Sequence, residues 1–162
     1  MAADKYQNKP KKPYGLGVEF AGVISKNSPI PDGCDFVAGK TRVFGQGQGA
    51  YAEQVATPYY TLFEMPDNVS FEQMSGSFIT LPTSYSALKL RAKLQPEEWL
   101  LVHAGAGGVG IAALQLGKLM GAKTIATAGS AEKLNICKRI GKADYVVNYR
   151  DKDWQAQVKS GC

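Results

Sequence analysis

The sequence predicts an α/β fold: an antiparallel, loop-rich β module followed by the first βαβαβ half of a doubly wound parallel sheet. Three observations carry this. Short β-type runs broken by turn residues fill the chain up to about Pro66. From Trp99 onward, runs that are apolar throughout alternate with helical patterns, the mark of a parallel sheet covered on both faces. Between the first such run and its helix stands Gly105-Ala106-Gly107-Gly108-Val109-Gly110.

In the first part the β-type runs are "VEFAGVIS", "TRVFG", "AYAEQVAT" and "YYTLFEM", punctuated by Gly15, Gly17, Gly22, Asp32-Gly33, Gly39, Gly45, Gly47 and Gly49. The polar stretch "SKNSPIPDGCD" reads as a surface loop. After Pro66 the period changes. Ser70, followed two residues later by Glu72, opens a helical pattern with Phe71, Met74, Phe78 and Leu81 on one face. Pro82 predicts a break there, with a second helix running from Thr83 to Lys93. The parallel strands are predicted at Trp99–Ala104, Lys123–Ala128 and Asp144–Tyr149. The helices between them are placed at Val109–Met120 and at about Ala131–Ile140, the latter ended by Gly141.

Composition narrows the function class. The chain has 162 residues, long enough to bury a core, and its 44% hydrophobic and 20% charged content is that of a soluble globular protein. No apolar run reaches the length of a membrane span, and the opening "MAADKYQNKPKKPYG" is not a secretory signal. The net charge of +5 is spread along the chain, apart from a knot at Lys9, Lys11 and Lys12, and reads as a solvated surface rather than a nucleic-acid groove. Cys34, Cys137 and Cys162 are odd in number and far apart; they form neither a disulfide framework nor a zinc cluster and point to a reducing, cytoplasmic compartment. No triad, paired carboxylates or activated cysteine is visible, so no catalytic residue is assigned and a hydrolase is not expected.

The glycine stretch fits G-x-G-x-x-G in the required context, after a strand and before a helix. On that reading Gly105 makes the turn, Gly107 admits a pyrophosphate and Gly110 lets the helix pack closely on the strand. The helix start at Gly108 and Val109 then offers free amides and a partial positive charge to phosphate. Where an NAD site places a carboxylate, at the end of the second strand, this chain has Ala128-Gly129-Ser130 and then Lys133. A hydroxyl and an ammonium there suit a 2′-phosphate, and Tyr149-Arg150 offers a phenol and a guanidinium to the same end. NADPH is therefore the expected cofactor. The competing reading of Lys133 and Arg150 is as ordinary surface charges.

Taken together, "KYQNKPKKPYGLGVEFAGVI", "GAYAEQVATP", "MPDNVSFEQM" and the run from "LLVHAGAGGVG" to "VVNYRDKDW" resemble the zinc-independent quinone oxidoreductases. These form the zeta-crystallin-like branch of the medium-chain dehydrogenase/reductase superfamily. The resemblance implies a partial GroES-like substrate-binding β domain over residues 1–68, connecting helices over 69–95, and a partial Rossmann NADP(H)-binding domain over 96–162. It implies hydride transfer from NADPH to a quinone or another α,β-unsaturated carbonyl, and a homodimer for full-length relatives.

Residue by residue, it lays Gly107, Gly108, Val109 and Gly110 along the pyrophosphate and puts Ser130, Lys133 and Tyr149 at the 2′-phosphate and adenosine end. Thr83 falls near the nicotinamide and Tyr6 at the rim of the substrate pocket. Zinc relatives carry G-H-E-x-x-G with a histidine ligand; here the run is Gly17-Val18-Glu19-Phe20-Ala21-Gly22, and valine cannot ligate, so no metal is expected. Glu19 reads as a hydrogen-bonded structural carboxylate and His103, the sole histidine, as a satisfied strand-end residue.

The chain departs from the family pattern at Gly39-Lys40-Thr41-Arg42-Val43, where a compact G-D-R-V is usual, and at Glu97, where glycine is usual. The family also extends beyond both ends of this sequence. Two rival readings follow: a truncated, non-catalytic form that binds nucleotide weakly or not at all, and a nucleic-acid-binding side role motivated only by charge.

Overall fold

A computed structural model describes residues 13–161. The chain divides into two compact units, with the boundary between Ile79 and Thr80. Tyr6 lies outside the described residues.

In the first unit, β1 (Glu19–Val23) pairs antiparallel with β2 (Arg42–Gln46), in the register Glu19 to Gln46 and Val23 to Arg42. β2 pairs in turn with β3 (Leu62–Glu64), Val43 facing Glu64. β2 alternates between half-buried and buried positions, as a strand with one face on a core must, and Val43 within it and Met65 just after β3 are the best-buried apolar residues of this unit. Phe44, Phe63 and Phe78 pack ring against ring at centroid distances of 5.8 to 6.2 Å. The Arg42 guanidinium donates to the carbonyls of Asp67 (3.0 Å) and Val69 (2.6 Å) and lies 4.7 Å over the Phe71 ring, fixing the turn into α1 (Phe71–Met74).

α1 begins with a reciprocal capping box, Ser70 with Gln73. The partner is Gln73 rather than Glu72, because only the third residue after the cap reaches back to its amide. The run "AYAEQVAT" does not form a strand. Amides at Gly49, Ala50 and Tyr51 are tied to the carbonyls of Gly17 and Leu16, and residues 51–58 follow irregularly, Thr57 Oγ1 donating to the Gln46 carbonyl.

The second unit opens with α2 (Thr80–Tyr85), which passes directly into a wide helical turn at Ser86–Arg91. The break expected at Pro82 does not occur. Pro82 is the third helical residue, where an N–H has no intrahelical acceptor to lose. The helix closes through bonds from Ala92 N–H to the Ala87 carbonyl and from Leu94 N–H to the Leu88 carbonyl, with Lys93 in the left-handed region.

Three parallel strands follow: β4 (Trp99–Val102), β5 (Lys123–Ala128) and β6 (Tyr145–Asn148), with β5 in the centre. Between them run α3 (Gly108–Leu119) and α4 (Ala131–Arg139), and α5 (Trp154–Gly161) closes the described chain. Val102, Leu114, Ala126, Ala128, Cys137 and Ala143 form one core, so α3 and α4 share a face of the sheet. α5 lies on the other face, where Gly161 approaches Ile125 and Tyr145, and Trp154 stands edge-on to His103 at 5.9 Å. Strand β5 is buried from Thr124 onward, which is why its sequence carries no polar alternation. None of the helices among the described residues is long and apolar enough to cross a membrane.

Candidate dinucleotide site

The site is built at the carboxyl ends of the parallel strands, where open α/β sheets present their ligand crevice. β4 ends at Val102, and the chain turns at Ala104, whose φ of 52° is left-handed. The Gly105 amide then donates to the Thr127 carbonyl (2.9 Å) and the Gly107 amide to the Ala104 carbonyl (3.0 Å), closing the loop onto β5.

The glycines divide their work differently from expectation. The strained turn belongs to Ala104, not Gly105. A Cβ on Gly105 would meet Ala126 Cβ at 2.8 Å and Cys137 Sγ at 3.1 Å, so this glycine lets the loop sink onto the sheet. Gly110 packs against loop backbone, since a Cβ there would lie 2.6 Å from the Ala104 carbonyl oxygen and 2.8 Å from Gly105 Cα. The helix-on-sheet approach assigned to Gly110 is made instead by Gly117, whose added Cβ would fall 2.6 Å from Leu100 Cδ2.

Gly107, Gly108 and Val109 are exposed. Gly107 is the N-cap of α3 in extended geometry and has no side chain to cap with. The first intrahelical bond runs from Ile111 N–H to the Gly107 carbonyl, so the amides of Gly108, Val109 and Gly110 precede any helical acceptor. A Cβ at Gly107 would meet only the Ala104 carbonyl oxygen, at 3.4 Å, so the space over the helix start stays clear for an anion. These features fit a pyrophosphate.

Ser130 caps α4, its Oγ accepting the Lys133 amide at 3.3 Å. The hydroxyl proton remains for a ligand oxygen. Lys133 is exposed in the first turn. The Tyr149 amide extends the β6 ladder to the Ala128 carbonyl (3.1 Å), and its phenol ring covers Gly129. Ser130, Lys133 and Tyr149 are thereby gathered at one end of β5 and β6, beside the glycine loop at the end of β4. Thr83 is exposed on α2. Its neighbour Ser84, 2% exposed, donates from Oγ to the Val109 carbonyl at 2.9 Å. Nothing in the spacing of "LPTSYSAL" singles out Ser84, since its role depends on a partner 25 residues away.

His103 Nδ1 pairs with Thr127 Oγ1 at 2.9 Å, the strand-end role expected of it. Glu19 Oε2 accepts the Ile79 amide at 2.9 Å. Burial raises the Cys137 thiol above its ordinary value, only partly offset by a backbone hydrogen bond. At the amino end of the sheet, Asp144 accepts from Thr124 N–H (2.8 Å) and Thr124 Oγ1 (3.0 Å) and pairs with Lys118 Nζ (2.6 Å). Burial pushes the Asp144 carboxyl up, but the Lys118 ammonium and the Thr124 donors outweigh it and hold the carboxyl below its ordinary value. Among the described residues, no group of three or more His, Cys, Asp or Glu is placed to hold a metal ion.

Parallel βαβ units with an uncapped glycine loop at the start of α3 define the class: a partial GroES-like β module joined to the first half of a Rossmann sheet. The comparisons with known proteins go further. The family model "Zinc-binding dehydrogenase" matches residues 108–162. Quinone oxidoreductase 1 of Escherichia coli is 38% identical over 152 residues, covering 93% of this chain and 45% of that protein. The structure of Escherichia coli quinone oxidoreductase complexed with NADPH superimposes with a TM-score of 0.79 at 36% identity, covering 95% of this chain and 47% of that one. A probable oxidoreductase from Mycobacterium abscessus gives 0.86 at 32% identity, covering 96% and 49%. Over the segment it spans, this chain is similar in sequence and fold to quinone oxidoreductases of the medium-chain dehydrogenase/reductase superfamily. It spans about half the length of these relatives.

Proposed function

We propose that this chain binds NADPH and serves an oxidoreductase that reduces a quinone or another α,β-unsaturated carbonyl without zinc. The observation that carries the proposal is the pairing of two features at one sheet edge. The open first turn of α3 accepts a pyrophosphate, and the uncharged Gly129-Ser130 strand end with Lys133 and Tyr149 accepts a 2′-phosphate rather than a free ribose hydroxyl. The relatives that include a quinone oxidoreductase crystallised with NADPH support the same reading.

NADPH, when bound, supplies the hydride. The chain's own residues bind and orient. Amides of Gly108, Val109 and Gly110 donate to the diphosphate oxygens, aided by the positive end of a twelve-residue helix. The Ser130 hydroxyl and Lys133 ammonium donate to the 2′-phosphate. Thr83, on the helix packed against α3, faces the nicotinamide end, and Tyr6 belongs to the substrate side. The zinc-free assignment rests on Val18, a side chain with no donor atom where zinc relatives place a histidine. Homodimerisation and a cytoplasmic setting belong to the same proposal.

Calorimetric titration with NADPH and NADH is the direct test. The expected result is tighter binding of NADPH by roughly tenfold or more, reduced towards parity by Lys133→Glu, since one charge-assisted contact is worth about 1.5–3 kcal/mol. A folded chain that binds NADH as tightly as NADPH would sink the 2′-phosphate assignment.

A further inference from the structure

We infer that Ser84 is a positioning residue for the dinucleotide loop, an inference that rests on the NADPH reading above. Ser84 is one of only three buried polar residues among those described, and the other two, Thr124 and Thr127, pair with Asp144 and His103 at the ends of neighbouring strands. Its Oγ instead crosses between helices to the Val109 carbonyl at 2.9 Å. That carbonyl belongs to the second residue of α3, inside the turn whose amides face the pyrophosphate position. One turn earlier on α2, Thr80 Cγ2 stands 3.0 Å from where a Gly108 Cβ would be. Thr80 and Ser84, four apart and so on one helix face, seat α2 on Gly108 and Val109.

The glycines make this support necessary. Gly107, Gly108 and Gly110 have no side chains to pack, and the N-cap offers no hydroxyl to the first amides. The orientation of that turn is therefore set from outside, by backbone contact with Ala104 on one side and by the Ser84 hydroxyl on the other. The same bond fixes the helical register of Thr83, the adjacent residue. Ser84 touches no phosphate; it acts through Val109. Removing its hydroxyl takes away the hydrogen bond from α2 to that turn, leaving its donors less firmly oriented toward the diphosphate position.

The test compares the whole chain with Ser84→Ala, Ser84→Cys and Ser84→Thr, measuring dissociation constants for NADPH and for adenosine 2′-monophosphate, which lacks the diphosphate. Ser84→Ala is expected to weaken NADPH about fivefold while leaving adenosine 2′-monophosphate within about twofold, and Ser84→Thr, which keeps the hydroxyl, to restore NADPH binding. Melting curves establish that each variant is folded at the titration temperature. If Ser84→Ala does not fold, Ser84→Cys, nearly the same shape with a weak donor, takes its place with the same expected split. Equal losses for both ligands, or no loss for NADPH, overturn the positioning role. A folded wild-type chain that binds neither ligand overturns the dinucleotide reading itself and this inference with it.

Discussion

Two strand-to-helix turns in the second unit share topology and differ in chemistry. From β4 the chain enters α3 through a left-handed alanine and a bare glycine cap, with no side chain satisfying the first amides. From β5 it enters α4 through Ser130, whose hydroxyl takes the Lys133 amide. The first turn forgoes a side-chain cap, worth roughly a few tenths of a kcal/mol over glycine, and leaves its first amides without side-chain acceptors. The second satisfies itself and keeps only a hydroxyl proton and nearby side chains to offer. On the proposed reading, a difference in capping separates a loop that would meet a diphosphate through backbone from one that would meet a phosphate through side chains.

Gly110 tolerates no side chain. A methyl there would press on the Ala104 carbonyl at 2.6 Å, and backbone cannot yield as a side chain does. Gly110→Ala is expected to cost about 3 kcal/mol, the upper end of overpacking penalties, and to abolish NADPH binding. Thermal unfolding and titration measure the two effects.

The two caps can also be exchanged. Gly107→Ser places a hydroxyl at a position with extended geometry and free space, and is expected to gain roughly a few tenths of a kcal/mol while weakening NADPH. Ser130→Ala should lose about 1 kcal/mol and narrow the preference for NADPH over NADH. If Gly107→Ser binds NADPH as tightly as the wild type, the open amides are not the ligand's donors.

Smaller effects come from backbone strain. Glu97 sits at φ 67° in the turn before β4, donating its amide to the Gly121 carbonyl, and its carboxylate pairs with Lys123 only at the surface. Glu97→Gly is expected to stabilise by roughly 1 kcal/mol, because the left-handed penalty exceeds the value of an exposed ion pair. Ala104→Gly should stabilise similarly but alter nucleotide affinity, whereas Glu97→Gly should not. Chemical denaturation of both variants separates strain at the site from strain elsewhere.

The smallest effect concerns acid. Asp144 is held below its ordinary value in the fold, so its contribution is present above the unfolded carboxylate value near 3.9 and is lost as pH falls through the lowered folded value. Asp144→Asn should therefore flatten the acid limb of a stability profile below about pH 4 while leaving NADPH binding unchanged.

Most of this second unit was legible in the sequence because its strands are apolar runs bounded by glycine and charged residues. β4, β5, β6, α3 and α4 each fall within a residue or two of expectation. What escaped depends on neighbours. Pro82 reads as a breaker until its place in the first turn is known. The α5 helix in "WQAQVKSG" has a weak apolar face and is identified by its seat on Ile125 and Tyr145. "AYAEQVAT" alternates like a strand, yet its leading amides are taken by Leu16 and Gly17. At the site, the glycine pattern and Ser130 were visible as local signals, whereas Ser84 and the Asp144 clamp act across 25 and 20 residues and leave no local mark.

The seat of Tyr149 on Gly129 bears on how such a protein changes its coenzyme. Any Cβ at residue 129 would strike the Tyr149 hydroxyl and lie 2.7 Å from its Cζ. An acidic residue placed there to accept a ribose diol therefore requires the Tyr149 side chain to move aside. On the proposed reading, trimming Tyr149 to make that room removes a contact to the adenosine end. Positions 129 and 149 are therefore coupled, and replacements at the two are expected to act on coenzyme preference together rather than independently.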